Sequence, residues 1–175
     1  MKTIPKEQIE NQLGKGSFWL PKRLTGITYL YGISELDAVR EAKPSEIAAP
    51  LSITILPGGL EVHIMHKFKQ YSVGLPFTDI KRVELAIPED IITKQERSVI
   101  GRAVVGSLLL GPIGAIVGGM SGLQEGIKVE SGDALLTIQV EQAGQESFFV
   151  ASVAKGKRDI TQQFLQKHLS QWLAD

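Results

Sequence analysis

Three histidines, nineteen carboxylate side chains and no cysteine are the groups from which this 175-residue chain could build chemistry. Without cysteine there is no disulfide, no thiolate nucleophile and no thiolate metal site. His63 and His66 stand close enough in sequence to suggest a metal pair. On a strand, however, residues three apart point to opposite faces, so the two cannot chelate one ion. His66 falls in line with Leu60, Val62 and Ile64 and is expected as a hydrogen-bonded residue at a core edge. His168, beside Leu169 in a helical pattern, reads as a surface or rim residue. Glu89-Asp90 follows Pro88 and reads as loop polarity. No nucleophile–base pair and no acid–base pair emerges, so no catalytic residue, metal or cofactor is expected, and the chain does not read as an enzyme.

Glycine offers a second chemistry, the cradling of phosphate. Seven of the 18 glycines fall between Gly101 and Gly122. A dinucleotide fingerprint needs G-x-G-x-x-G after a strand, and no G-x-G occurs here. A P-loop needs Gly-Lys-Ser/Thr, and this stretch has no lysine. The spacing that does occur is Gly114-x-x-x-Gly118-x-x-x-Gly122, a small-residue stripe down one helical face that permits close backbone approach. Gly111-Pro112 divides the segment into two halves.

The same stretch raises the question of a membrane. From Ala103 to Gln124 there is no charged side chain, which is as long as the ~20 residues a spanning helix needs. Eight of its large aliphatics, Val104 to Val117, supply about −2 to −5 kcal/mol of insertion energy, while the glycines and Pro112 oppose it. Two half-segments of about nine residues reach only ~13 Å as helices, under half of a ~30 Å hydrocarbon core. If the strands before and after belong to one sheet, the chain must also return to the side it left. A full span is therefore not expected; a compact helical hairpin, packed on itself or on a partner, is.

The flanking sequence supplies the elements. Residues 1–24 read as an extension with a short helix, where Ile9 and Leu13 share a face and Gly14 and Gly16 stop it. Phe18, Trp19 and Leu20 form an apolar patch expected to dock on the main domain. Strands are predicted at Gly26–Ile33, Leu51–Leu56, Leu60–Phe68, Tyr71–Leu75, Asp79–Ile87, Leu136–Val140 and Ser147–Ser152. Pro57-Gly58-Gly59 turns the first hairpin, and Phe68 continues the apolar face of its second strand. Residues 34–50 form a long connection that includes a helical turn. Ile160, Phe164, Leu165, Leu169, Trp172 and Leu173 recur at helical spacing, so an amphipathic helix of four turns closes the chain, with Asp159 capping it.

Seven strands and one C-terminal amphipathic helix resemble the pleckstrin-homology-like fold. The motifs "LSITILPGGLEV", "YSVGLPFTDIKRVELA" (carried by Leu75, Pro76, Phe77, Asp79, Ile80 and Val83) and "ALLTIQV…SFFVAS" are similar to bacterial members of that superfamily and to GRAM-type domains. Some bacterial proteins of this type carry a segment similar to "GRAVVGSLLLGPIGAIVGGMSG" in this place. The resemblance covers roughly residues 26–173. It implies a mainly β, α+β fold: a seven-stranded antiparallel bent sheet or open barrel, capped by the C-terminal helix. The domain runs over 25–175, with a glycine-rich helical hairpin at 97–126 between the fifth and sixth strands.

Such a fold hosts lipid binders, peptide binders and assembly scaffolds alike. In phosphoinositide-binding relatives, cations cluster around the first hairpin. Here residues 34–50 carry Arg40 and Lys43 against Glu35, Asp37, Glu41 and Glu46, a net of minus two, so the headgroup match fails. Lys67 and Lys69, Lys81 and Arg82, and Lys155, Lys157 and Arg158 read as solvated strand ends and edges. With 19 basic and 19 acidic side chains there is no net field for nucleic acid. The first ten residues hold no apolar run, so a secretory signal is not expected and the cytoplasm is the default.

The leading expectation is a non-enzymatic interaction or assembly module. It would form a homo-oligomer, or bind another protein, through Gly106, Leu109, Gly111, Gly114, Gly118 and Gly122. A second expectation is peripheral membrane association by shallow insertion of the same hairpin. A disordered flap and a small-molecule binder using the barrel mouth are the remaining alternatives.

Overall fold

A computed structural model describes residues 1, 4–17, 19, 22–42, 49–87 and 132–174. The element order is α1 (Lys6–Leu13), β1 (Arg23–Tyr31), α2 (Ser34–Ala42), β2 (Ala49–Leu56), β3 (Gly59–His66), β4 (Lys69–Pro76) and β5 (Ile80–Ala86). After the insertion come β6 (Ala134–Gln142), β7 (Gln145–Val153) and α3 (Arg158–Leu169), the helix preceded and followed by a single 3-10 turn.

The seven strands form one antiparallel sheet in the order β4-β3-β2-β1-β7-β6-β5. β4 and β5 lie at opposite edges, yet only residues 77–79 connect them. The four Cα steps from Pro76 to Ile80 reach at most about 14 Å, so the sheet must curl until its edges approach. No ladder joins those edges; the sheet is bent and open.

Alternation decides what lies inside the bend. Ile27 and Tyr29, Leu51 and Ile53, Leu60, Val62 and Ile64, Leu136, Ile138 and Val140 take the concave side. Leu165 and Leu169 of α3 plug that core, with Phe164, Trp172 and Leu173 packed around it. Trp172 stacks on Phe77 at a ring separation of 4.9 Å. The chain after α3 then reaches the β5 edge, where Ala174 N–H donates to Val83 O at 3.0 Å and Leu173 bridges Val83.

Four details differ from the sequence reading. Phe68 does not continue the β3 face; it sits with Lys67 in the β3–β4 turn, both at positive φ, and is fully solvent-exposed. Strand β3 ends at His66, because a two-residue hairpin loop needs left-handed residues at 67 and 68. Ile160 faces solvent, and the inward stripe of α3 is Thr161, Leu165 and Leu169. Asp159 is not the cap: a 3-10 turn at Lys155–Lys157 leads in, Lys157 takes the cap position, and Asp159 lies in the first turn, where its charge suits the helix dipole. Trp19 of the expected apolar patch is 87% exposed, and Phe18 and Leu20 lie outside the described residues.

The helical turn expected within 34–50 is a full helix. Tyr29, completely buried, donates from its hydroxyl to Asp37 Oδ1 at 2.6 Å and accepts from Ile33 N–H at 2.8 Å. Gly32 N–H donates to Asp37 Oδ2 at 3.0 Å. A buried phenol thus ties the end of β1 to the start of α2, and Ile33 and Leu36 join the core.

Candidate functional site

The residues expected to mediate interaction, Gly106, Leu109, Gly111, Gly114, Gly118 and Gly122, lie outside the described residues. Their place in the topology is fixed by what flanks them. The chain leaves the sheet after β5 and returns at β6, and these strands are neighbours, with Ala86 paired to Leu135. The insertion therefore springs from the border of two adjacent strands, between the fifth and sixth.

The histidines separate as strand parity requires. His63 lies on the convex side with Nδ1 3.2 Å from Ser72 Oγ. His66 is buried at the end of β3. Its Nε2 is sealed from solvent without a hydrogen-bond partner among the described residues, where a bonded ring was expected. His168 rests edge-on against Phe164 at 5.0 Å. Burial, and then the charges of Lys22 and Lys167, hold its pKa below the ordinary histidine value. Among the described residues no three His, Asp or Glu side chains gather to hold a metal ion.

The basic pairs do not merge into one patch. Lys81 binds Glu141 at 3.1 Å and Arg82 binds Glu84 at 3.3 Å. Lys67 and Lys69 flank the exposed Phe68 at one hairpin tip. The third group, Lys155 to Arg158, precedes and opens α3. Each sits at a strand end, edge or turn, as solvated charge does.

A cleft of about 640 Å³ opens where α1, the end of β4 and the β6–β7 hairpin meet. Among the described residues its side chains are largely amides and hydroxyls with the carboxylates of Asp79 and Glu146, and the Met1 ammonium, also on the lining, donates to Gly32 O at 2.9 Å. Asp79 already accepts from Gln142 Nε2 at 3.1 Å and from Thr78 Oγ1 at 3.0 Å.

The sheet's convex side divides into two regions. Over β2, β3 and β4 lies α1, whose Ile9 and Leu13 pack with Leu56 in a small second cluster. Gly74 lets that helix come close: a methyl group there would stand 3.3 Å from both Ile9 and Leu13 side chains. Over β7 and β6 the convex face carries Leu135 and Val150, both buried, with Thr137 and Ser152 beside them, and Leu30, also buried, sits at the bulge of the adjoining β1. Neither apolar cluster contains these three aliphatics. The alternating pattern drawn for β6 missed Leu135, although the unbroken runs Ala134-Leu135-Leu136 and Phe149-Val150-Ala151 signal strands buried on both faces.

Among the described residues, no helix is long and apolar enough to cross a membrane. A family model described as "Glycine zipper containing PH domain" matches residues 53–150, more than half of the chain. No curated protein and no solved structure matches.

Proposed function

Because the chain belongs to the family of glycine-zipper-containing PH domains, we propose that it is a non-enzymatic binding module that associates with itself through the glycine-rich insertion. The PH fold accounts for the first half of that reading, since it presents loops and edges to protein or lipid partners. One observation carries the second half: the Gly114, Gly118, Gly122 stripe lies inside a 22-residue uncharged run, Ala103 to Gln124, that the family match spans. Glycine at every fourth position removes side chains along one helical face, so two backbones can approach closely, while the neighbouring aliphatics leave water.

A phosphoinositide headgroup is a weaker fit. The first turn of α2 carries Glu35 and Asp37, and Asp37 is engaged with the Tyr29 hydroxyl and Gly32 N–H. Multi-angle light scattering of the intact chain tests the proposal. At a protein concentration of about tens of micromolar an oligomer is expected, and Gly118→Leu shifts it toward monomer. A monomer that Gly118→Leu leaves unchanged overturns the reading.

A further inference from the structure

The convex face of β1, β7 and β6 is built like an interface. Leu135 and Val150 are each 1% exposed, although strand alternation turns both away from the core, and Leu30 at the β1 bulge is 8% exposed and joins neither apolar cluster. Cross-strand pairing joins them into one surface: Leu135 faces Ser152, and Thr137 faces Val150, which in turn pairs with Tyr31. Thr137 Oγ1 is sealed from solvent with no hydrogen-bond partner among the described residues. The buried apolar side chains described on the three helices lie elsewhere. α1 gives Ile9 and Leu13 to the small cluster on β2–β4, while α2 and α3 give Leu36, Leu165 and Leu169 to the main core.

We propose that this face is an intramolecular docking site whose occupant is the chain's own segment 88–131. Connectivity favours it over any other occupant. The segment follows β5 and precedes β6, and the strand ends that flank it meet where Ala86 pairs with Leu135, on the border of the face. Its composition also complements the face: Val104, Val105, Leu108, Leu109, Ile113 and Ile116 sit in a stretch without a charge. An apolar sheet face and an apolar chain tethered at its rim meet at high effective concentration, and burying both removes water from each. This inference is independent of self-association. The sheet face takes large aliphatics, whereas the proposed contact between copies uses the glycine stripe.

The absence of cysteine makes a direct test available. Thr137→Cys and Met65→Cys, each made in the full chain, place a single thiol on the convex face; Met65 is 48% exposed and serves as the open reference. With a disulfide-exchange reagent, Cys at 137 is expected to react at least about a hundredfold slower than Cys at 65. That rate should not change with protein concentration. Replacing residues 88–131 by a short Gly-Ser linker should bring the two rates together. If the linker form does not fold, Leu109→Asp with Ile116→Asp in the full chain serves the same arm. Comparable rates in the full chain overturn the inference. So does protection that fades on dilution, because the occupant is then a second copy. So does protection that survives removal of the segment in a folded protein, because another element then covers the face.

Discussion

The two convex regions of the sheet are covered by different means. Over β2–β4 a short helix from the start of the chain lies on the strands, fitted by Gly74 and fastened where Gly58 N–H donates to Leu13 O at 2.7 Å. Over β1, β7 and β6 the strands themselves are apolar on both sides, and their convex aliphatics join no described cluster. The first region needs only two helical side chains on a narrow patch. The second borders the longest connection in the fold. A sheet curled around one core therefore has two convex patches to cover, one met by a local helix and one left, in the proposal above, to the insertion.

The sharpest way to break this comparison is a charge on the second face. Leu135→Asp is expected to lower unfolding free energy by about 3–5 kcal/mol in a urea titration, since a carboxylate would be buried without a partner. Met65→Ala, on an exposed convex position of β3, should stay within about 0.5 kcal/mol. Equal, small effects at both would mean that the second face is open.

On the first face, Ile9→Ala should cost about 2–4 kcal/mol and loosen α1, read as faster amide exchange in residues 6–13. Gly74→Ala asks whether the helix can shift. Its new methyl would meet only flexible side-chain ends, so a loss of about 1 kcal/mol is expected, again centred on α1.

The smallest effect lies away from both faces, at His168. Its pKa is lowered in the folded chain, so the unfolded chain takes up the proton more readily. The sign follows: stability is unaffected above the ordinary value of 6.5 and falls as pH drops below it. His168→Gln should flatten that slope in thermal denaturation at pH 7.5 and 5.5, by a modest amount because the ring is partly exposed.

Much of this architecture was legible in the residues. Period-2 alternation in β2, β3 and β6, turns at Pro57-Gly58 and Ala143-Gly144, and the 3.6 period of α3 each gave an element of the right type in the right order. Boundaries slipped where geometry, not hydropathy, rules. Phe68 looks like a strand residue until the two-residue turn claims it. Ile160 has helical spacing with Phe164 but lies one position off the inward stripe of Thr161, Leu165 and Leu169. Asp159 has the right chemistry for a cap, but the 3-10 turn moves the helix start two residues back. The convex face was missed because an alternating reading of β6 assigns Leu135 to solvent; only its neighbours in the sheet reveal that both sides are apolar.

Whether the insertion is the layer over β1, β7 and β6 can be measured through the methyl groups themselves. In the full chain, methyl-to-methyl nuclear Overhauser contacts are predicted between Leu135 or Val150 and aliphatic residues of segment 103–117. They should persist within one molecule when labelled and unlabelled chains are mixed. Methyl groups of Leu135 and Val150 that contact only strand neighbours, or that contact the segment only between molecules, would contradict that placement.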